Sequence, residues 1–357
     1  MNTQVHYGIG STSSAQDDWS LVTSHAMTLS GLSPGTTYEV QAESSYYSNP
    51  DLFSPVQNIT LPGSRLFPNA SAAWLYSAPA GSGSDITSVT SSMGFAVNAH
   101  DGGFDYPVVY TDGSHGCTNV VDSPSYGDSY CVPNPAGGYF PSVGGCGAND
   151  GHLVVVDTST GDYFDFWRLY TNGSGVPTNS QVNGAYDVGA IFEGSLNGNG
   201  APGTTAAAIS GAAGAIMPGE LDCGTCLNHA VLVTVPWWLN SDQFGNTQSP
   251  AEKTDGKSIA DGGCGSIAGN VIFEEGAEIQ FDPSIDVSTL PNISTAGQAL
   301  LRALQLYGGV LVDQGGNSSH SCGQLGGGFG FYSSLATTPD LGSGMSSEAG
   351  AHLKIYY

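Results

Sequence analysis

The sequence predicts an all-β fold with one or two helices, and three observations support this. Many short stretches alternate apolar and polar residues, or are apolar throughout, as strands are. Gly-rich loops separate these stretches, since 52 of the 357 residues are Gly. Only one segment has a convincing helical period. We therefore expect a small β-sandwich over residues 1–62, followed by a larger β-sandwich or jelly-roll-like domain over residues 63–357.

The small part is predicted by a period-two pattern around a Pro-Gly turn. Residues 4–8 and 26–42 alternate in this way, with the turn at Pro34 and Gly35. The run Leu-Ser-Pro-Gly-Thr-Thr-Tyr, which ends at Tyr38, resembles the corner of fibronectin type III modules, where the Tyr ring packs. The resemblance covers about residues 3–62 and implies two earlier strands. We expect an incomplete module, through truncation of the chain or completion by another segment or chain.

Five apolar stretches of the larger part are predicted to be buried strands, and one segment a helix. The strands cover residues 152–157, 230–235, 278–281, 309–312 and 352–357. The helix begins with an N-cap at Ser294 or Thr295, places Leu300, Leu304 and Tyr307 on one face, and ends at Gly308. A weaker helical pattern covers residues 204–213.

The charge balance excludes two classes of partner. The chain has 31 acidic and 6 basic residues, for a formal charge of −25. Nucleic-acid binding is excluded because phosphates require clustered Lys and Arg. A membrane span is excluded because no stretch of about 18 apolar residues exists. The sequence pI near 4.1 suits mildly acidic surroundings, where repulsion between carboxylates fades.

The cysteines indicate an oxidising compartment. Seven lie in Gly-rich loop sequence, and all are disulfide candidates: Cys117, Cys131, Cys146, Cys223, Cys226, Cys264 and Cys322. An odd number leaves at least one free or paired between chains. Half of a zinc knuckle at Cys223 and Cys226 is the alternative, but a second close pair is absent. We expect a secreted, extracellular protein whose export signal is missing from this chain.

The candidate functional residues are His and carboxylates near strand ends. Nucleophile elbows, phosphate loops and His-Glu-x-x-His are absent. Carboxylates at strand ends facing one cleft are typical of glycosidases and lyases, and an imidazole beside a carboxylate suits acid-base work. The expected catalytic residues are Glu193, Asp313, Asp150 and His152. The expected substrate-binding residues are His100, Asp105, His229, Trp237 and Trp238. A solvated loop, a structural hydrogen bond or, for the tryptophans, the core explains each of these almost as well.

Several runs in the larger part resemble one family of secreted bacterial proteins, found mainly in actinobacteria and acidobacteria. The runs are residues 149–157, 189–192, 214–219, 228–232 and 303–315, in the same order along the chain. Gly151 stands where several members read Arg, and the loop after His100 departs from the family's His-Pro-Asp-Phe-Gly. The resemblance covers about residues 74–317. It implies one domain with one cleft and names no substrate.

The preferred function is a carbohydrate-active enzyme, a glycoside hydrolase that acts on an extracellular polysaccharide. The fibronectin-like appendage, the aromatic and acidic loops and the strand-end residues favour it. A non-catalytic filament or surface-layer subunit, assembling by strand donation into the incomplete first module, is the alternative. A lectin-like binding protein is a third reading.

No cofactor is required by the preferred reading. Calcium is an option at the Asp-Gly turns of Asp112, Asp150 and Asp255, although single turns of this kind are usually only turns. Zinc or copper on three imidazoles, those of His100, His152 and His229, is a minority reading.

Overall fold

The strands and helices below belong to the residues that the computed structural model describes. These are residues 2–8, 11–18, 37–45, 52–60, 70–90, 94–98, 106–122, 128–135, 140, 151–172, 174–198, 200–235, 247–256, 273–314, 328–335 and 337–357.

Twenty strands make up most of the regular structure. They are β1 Asn2–Gly8, β2 Ser14–Asp18, β3 Thr37–Ser45, β4 Leu52–Phe53, β5 Gln57–Thr60, β6 Ser84–Asp85, β7 Gly94–Asn98, β8 Val108–Thr111, β9 Cys117–Asp122, β10 Ser129–Pro133, β11 Leu153–Asp157, β12 Asp162–Trp167, β13 Gln181–Val182, β14 Ala185–Val188, β15 Ala190–Ser195, β16 Val231–Val235, β17 Glu278–Phe281, β18 Gly309–Gln314, β19 Gly328–Tyr332 and β20 Leu353–Tyr356. The helices are α1 Thr87–Thr90, α2 Gly211–Gly214, α3 Thr295–Leu306 and α4 Met345–Gly350, with 3-10 turns at Ala70–Tyr76 and Val287–Thr289. The all-β prediction is therefore confirmed.

The strands form four sheets. Sheet A contains β2-β1-β3-β4, with β5 also on β3, and all its pairs are antiparallel. Sheet B has seven strands in the order β6-β20-β17-β18-β16-β19-β7. Sheet C is β15-β12-β11-β8, and sheet D is β10-β9-β14-β13. Sheet A takes its strands from residues 2–60 alone, and the first module as a fibronectin-like unit stays a prediction.

Sheets B, C and D form successive layers, because strands β11 and β16 bury both of their faces. Val154 and Val156 of β11 pack into one apolar cluster with Leu232 of β16, between sheets C and B. The alternate residue Val155 packs with Val120 of sheet D. Strands buried on both faces read as continuous apolar runs, which explains the sequence of β11.

The third apolar cluster lies between sheet B and helix α3. Val231 and Val233 of β16 pack there with Leu300 and Leu304 of the helix. Ser294 caps the helix, since its side chain accepts a hydrogen bond of 3.0 Å from the Gly297 amide. Gly308, with a φ of 77°, follows the helix in the left-handed conformation that Gly adopts readily. The predicted helix is thus confirmed, and so are the five predicted strands.

The weaker predicted helix over residues 204–213 is wrong. Pro202 bridges to Ile209 as in a hairpin, and only α2 is helical. The Thr205 hydroxyl accepts a hydrogen bond from the Ile209 amide and donates one to the Ile209 carbonyl, at 3.0 and 2.7 Å. Such side-chain bonds compete with the helix for backbone partners. Ala208 has a φ of 62°, which a right-handed helix does not allow.

Two disulfides lie within the described residues. Cys117–Cys131 joins β9 to β10, and Cys223–Cys226 closes a short turn. Cys146, Cys264 and Cys322 lie outside the described residues. A cysteine in a disulfide is not a thiolate ligand, so the zinc alternative loses its close pair. The two bonds are compatible with an oxidising compartment.

None of the helices among the described residues has the length and apolar character that a membrane span requires.

Candidate functional site

The structure describes four of the nine predicted catalytic and substrate-binding residues: His152, Glu193, His229 and Asp313. The other five, His100, Asp105, Asp150, Trp237 and Trp238, lie outside the described residues.

His152 precedes β11 and lies in the layer between sheets C and B. Its ring stacks on Tyr106, with centroids 4.4 Å apart and planes 20° apart. Its Nδ1 lies 3.3 Å from the Phe166 carbonyl, and because a carbonyl only accepts, Nδ1 carries the proton. Burial, with a smaller contribution from the charge of Lys253, lowers the pKa of His152 to about 4, although the hydrogen bond to Phe166 opposes the shift. His152 is thus a neutral imidazole at neutral pH.

Asp165 of β12 is the centre of a buried hydrogen-bond network beside His152. The hydroxyls of Tyr106 and Thr204 each donate to its Oδ1 at 2.6 Å, and they lie 2.9 Å from each other. The Gly211 amide donates to Oδ2 at 3.1 Å. Burial raises the pKa of Asp165 to about 6, while these donors and the Ser210 hydroxyl act to lower it. The network joins sheet C to the segment that carries Thr204.

Asp313 of β18 lies at a β-bulge that changes the direction of its side chain. The β16–β18 register runs from Val233↔Leu311 to Thr234↔Asp313, so one residue of β18 has no partner. Bulges re-aim side chains in this way. The Tyr332 hydroxyl donates to Asp313 Oδ2 at 3.0 Å. Tyr332 packs in the layer between sheets B and C, and the carboxylate of Asp313 therefore faces that layer.

Glu275 and Asp255 stand beside Asp313 and complete a group of three carboxyls. The Gly276 amide donates to the Leu311 carbonyl at 2.8 Å, which holds Glu275 against β18. Glu275 is fully buried, and neither of its carboxyl oxygens has a hydrogen bond of normal geometry among the described residues. The side chains of Thr254 and Asp255 lie close enough to act on its pKa through weaker hydrogen-bond contacts. Burial raises the pKa of Glu275 to about 9, and the charges of Asp255 and Asp313 add to the shift. Asp255 is exposed, so this end of the three-carboxyl group borders solvent.

Tyr332 connects the carboxyl group to the imidazole. Its ring packs edge-on against Tyr106 at 5.3 Å and against His152 at 6.3 Å, while its hydroxyl binds Asp313. Two predicted residues, His152 and Asp313, thus contact the same tyrosine. We define the candidate site as Asp255, Glu275, Asp313, Tyr332, His152, Tyr106 and Asp165.

Glu193 is not part of this site, because it projects from the other face of sheet C. It pairs directly with Phe164 across β15 and β12, and directly paired residues share a face. Phe164 packs in the cluster toward sheet D, whereas the adjacent Asp165 faces sheet B. Glu193 is exposed, and its charge helps to raise the pKa of Tyr130 in sheet D, after burial and two closer carboxylates.

His229 forms a separate buried pair with Glu220. Its Nε2 lies 3.1 Å from Glu220 Oε2, which also accepts a hydrogen bond of 2.7 Å from the Met217 amide. Its Nδ1 donates to the Ala230 carbonyl at 2.7 Å. Burial lowers the pKa of His229, but the charge and hydrogen bond of Glu220 outweigh it and leave the pKa raised. The pair anchors the Cys223–Cys226 turn.

Within the described residues, no group of three or more His, Cys, Asp or Glu side chains has a geometry that could hold a metal ion. The Asp112 turn has an internal partner for its carboxylate, which accepts hydrogen bonds from the amide and hydroxyl of Ser114 at 2.9 and 2.6 Å. In the Asp255 turn, the Gly256 amide donates to the Thr254 hydroxyl at 2.8 Å. Bonds of this kind are those that close ordinary turns.

Sequence reasoning missed four members of the site: Tyr106, Asp165, Glu275 and Tyr332. Two of them carry a signal in hindsight. Asp165 interrupts the aromatic run Tyr-Phe-Asp-Phe-Trp of residues 163–167, and Glu275 lies between Val-Ile-Phe of residues 271–273 and Ala277. An acid among apolar residues is a candidate for burial. For the two tyrosines we find no sequence signal.

Comparison with family models, curated proteins and solved structures finds no match to this chain.

Proposed function

We propose that the protein is a secreted glycoside hydrolase that cleaves an extracellular polysaccharide by acid-base catalysis in the candidate site. The observation that carries this proposal is the three-carboxyl group. Glu275 keeps its proton at neutral pH, and Asp255 and Asp313 lie beside it. A carboxylic acid that burial keeps protonated, next to a second carboxyl group, is an arrangement that glycosidases use for acid-base catalysis.

Glu275 and Asp313 have distinct roles in the proposed reaction. The proton held by Glu275 is transferred to the glycosidic oxygen as the C–O bond breaks. Asp313, oriented by the Tyr332 hydroxyl, either attacks the anomeric carbon or removes a proton from the attacking water. In the first case water then hydrolyses the glycosyl ester and Glu275 is reprotonated. His152 is neutral and takes no part in the proton transfers. Its ring and that of Tyr106 pack together and hold Tyr332 in position.

The test is the release of reducing ends from a panel of polysaccharides. We expect Glu275→Gln and Asp313→Asn to lose at least 100-fold in kcat, since each removes one half of the acid-base pair. Glu348→Gln in α4 is the matched control and should keep wild-type activity. The wild-type rate should fall as pH rises through about 9, where Glu275 loses its proton.

Three results contradict the proposal. One is no product from any substrate in the panel. The second is full activity in both site variants. The third is loss of activity in Glu193→Gln with activity kept in Asp313→Asn, which places the chemistry on the other face of sheet C.

One observation favours the second candidate, a self-assembling structural protein. Sheet A exposes the large apolar side chains of Leu52, Phe53 and Val56, at 71%, 55% and 47%. Leu52 and Phe53 form β4, which lies at an end of the sheet order, and exposed apolar groups on such a strand suit contact with another chain. Size-exclusion chromatography across a 100-fold concentration range tests it, and a constant monomer mass rejects it.

A further inference from the structure

A cavity of about 260 Å³ lies beside the candidate site and is not used in the proposed reaction. Its walls come from three segments: Trp74 in the first 3-10 turn, the hairpin of Pro202 and Ile209, and Pro250 with Glu252. Drug-sized ligands occupy pockets of about 300 to 1,000 Å³, so this cavity suits a smaller molecule. The volume and the mixed lining both point to a small polar ligand.

We propose that this cavity binds one hexopyranose unit of the substrate, with its ring against Trp74 and its hydroxyls at Glu252. A pyranose has an apolar C–H face and a rim of hydroxyls. The half-buried Trp74 indole provides an apolar aromatic surface, and the exposed Glu252 carboxylate provides a hydrogen-bond acceptor at the open side. The proposal rests on the proposed function for the choice of substrate class.

The hairpin wall is held rigidly before any ligand binds. The Gly203 amide donates to the Ala208 carbonyl at 2.9 Å, and the Ser210 amide donates to the Ala201 carbonyl at 2.8 Å. The Tyr163 hydroxyl donates to the Pro202 carbonyl at 2.7 Å. A preformed wall reduces the entropy cost of binding a weak ligand such as a sugar.

Glu252 is tied to the same hairpin and to the candidate site. Its amide donates to the Ala207 carbonyl at 3.1 Å. The next residue, Lys253, acts electrostatically on His152, and Asp255 acts on Glu275. One short segment, residues 249–255, therefore lines the cavity and contributes to the carboxyl group.

Ala208 carries backbone strain at the wall of the cavity. Its φ of 62° is in the left-handed region, which costs a non-Gly residue about 1 kcal/mol or more. Strained residues cluster at ligand sites, because such conformations persist only where the surroundings hold them. The strain is an observation independent of the cavity volume, and it supports the same assignment.

Binding is measured without catalysis, by saturation-transfer NMR and calorimetry on the full chain. The probes are the methyl glycosides of glucose, galactose, mannose and xylose. Tetramethylammonium is added as a competing kind of ligand, because a cation can also bind between an indole and a carboxylate. We expect at least one methyl hexoside to bind. Trp74→Ala should weaken it at least tenfold and Glu252→Gln about threefold, while Trp74→Phe keeps most of the binding. Trp167→Phe, in β12, is the aromatic control and should bind as the wild type does.

Three outcomes overturn the inference. The first is that no glycoside binds the wild type, and the second is that tetramethylammonium binds in place of sugars. The third is that Trp74→Ala binds as well as the wild type while its circular dichroism is unchanged. Asp313→Asn separates the two proposals. If it binds the glycoside and the wild type hydrolyses nothing, only the proposed function fails. If the wild type hydrolyses polysaccharide and Trp74→Ala has an unchanged KM, only the sugar-binding cavity fails.

Discussion

Replacing Glu275 by Gln is expected to stabilise the protein at neutral pH and to change little at pH 4. Gln has nearly the same shape as a protonated Glu but cannot ionise. In the native state burial raises the pKa of Glu275 to about 9, against an ordinary value of 4.5. Between these two values the unfolded chain releases a proton that the native protein keeps. The stability of the wild type therefore decreases as pH rises through this window, whereas that of the variant does not show this decrease.

The size of the effect at pH 7 follows from the pKa of the unfolded state. Neutral pH lies about 2.5 pH units above 4.5 and still below 9, so the native carboxyl remains protonated. Each pH unit is worth about 1.36 kcal/mol. At pH 7 the free energy of unfolding of the wild type is thus lowered by about 3 kcal/mol, and that of the variant is not. At pH 4 both states are mostly protonated and the difference nearly vanishes.

The assay is urea denaturation of both proteins at several pH values from 3 to 7. The free energy of unfolding of the variant minus that of the wild type should rise by about 3 kcal/mol over this range. Asp282→Asn is a control of opposite sign, because the Ser284 hydrogen bonds lower the pKa of Asp282 and that variant should lose more stability at pH 7 than at pH 3. If the difference in unfolding free energy between Glu275→Gln and the wild type does not change with pH, Glu275 is not buried in its protonated form.

Three further variants test the packing and charge of the same region. Gly211→Ala should cost several kcal/mol in urea denaturation, since a Cβ would lie 1.9 Å from the Tyr106 ring; an unchanged midpoint would mean that the ring lies elsewhere. Asp165→Ala should cost about 3 kcal/mol or more and lower Tm, because it removes the acceptor shared by the buried Tyr106 and Thr204 hydroxyls and the Gly211 amide; an effect below about 1 kcal/mol contradicts the network. Glu220→Gln should lower the pKa of His229 in an NMR titration and destabilise the protein more at pH 5 than at pH 8; an unmoved pKa would rule out the pair.

The strands of the layered part were predictable because their signals are local. Residues 153–157 are apolar at every position, and a strand buried on both faces needs that pattern. Helix α3 has its cap at Ser294 and its stop at Gly308 within the sequence itself. By contrast, residues 204–213 have helical composition, but Thr205 bonds to Ile209 and bends the chain. That competing bond is not visible as a periodicity.

The site was only half predictable, because its contacts join residues that are distant in the sequence. Asp165 and Tyr106 are 59 positions apart, and nothing local indicates that they meet. Glu193 illustrates a second reason. The sequence placed it near a strand end, but which face it takes depends on its pairing with Phe164, and a shift of one residue reverses that face. Asp313 was identified from its position after an apolar run, although only the bulge directs it between the sheets.

The buried acid Glu275 is the strongest argument for where the function lies. Other buried polar side chains have partners that account for them, as His229 has in Glu220 and Gln280 has in the Gln305 carbonyl. Glu275 lies against β18 with both carboxyl oxygens outside normal hydrogen-bond geometry from any described residue. Burying a carboxyl in this way costs free energy, and an apolar replacement is often as stable. Folding alone gives no reason to keep an acid at this position, whereas the proposed acid-base chemistry at Glu275 and Asp313 does.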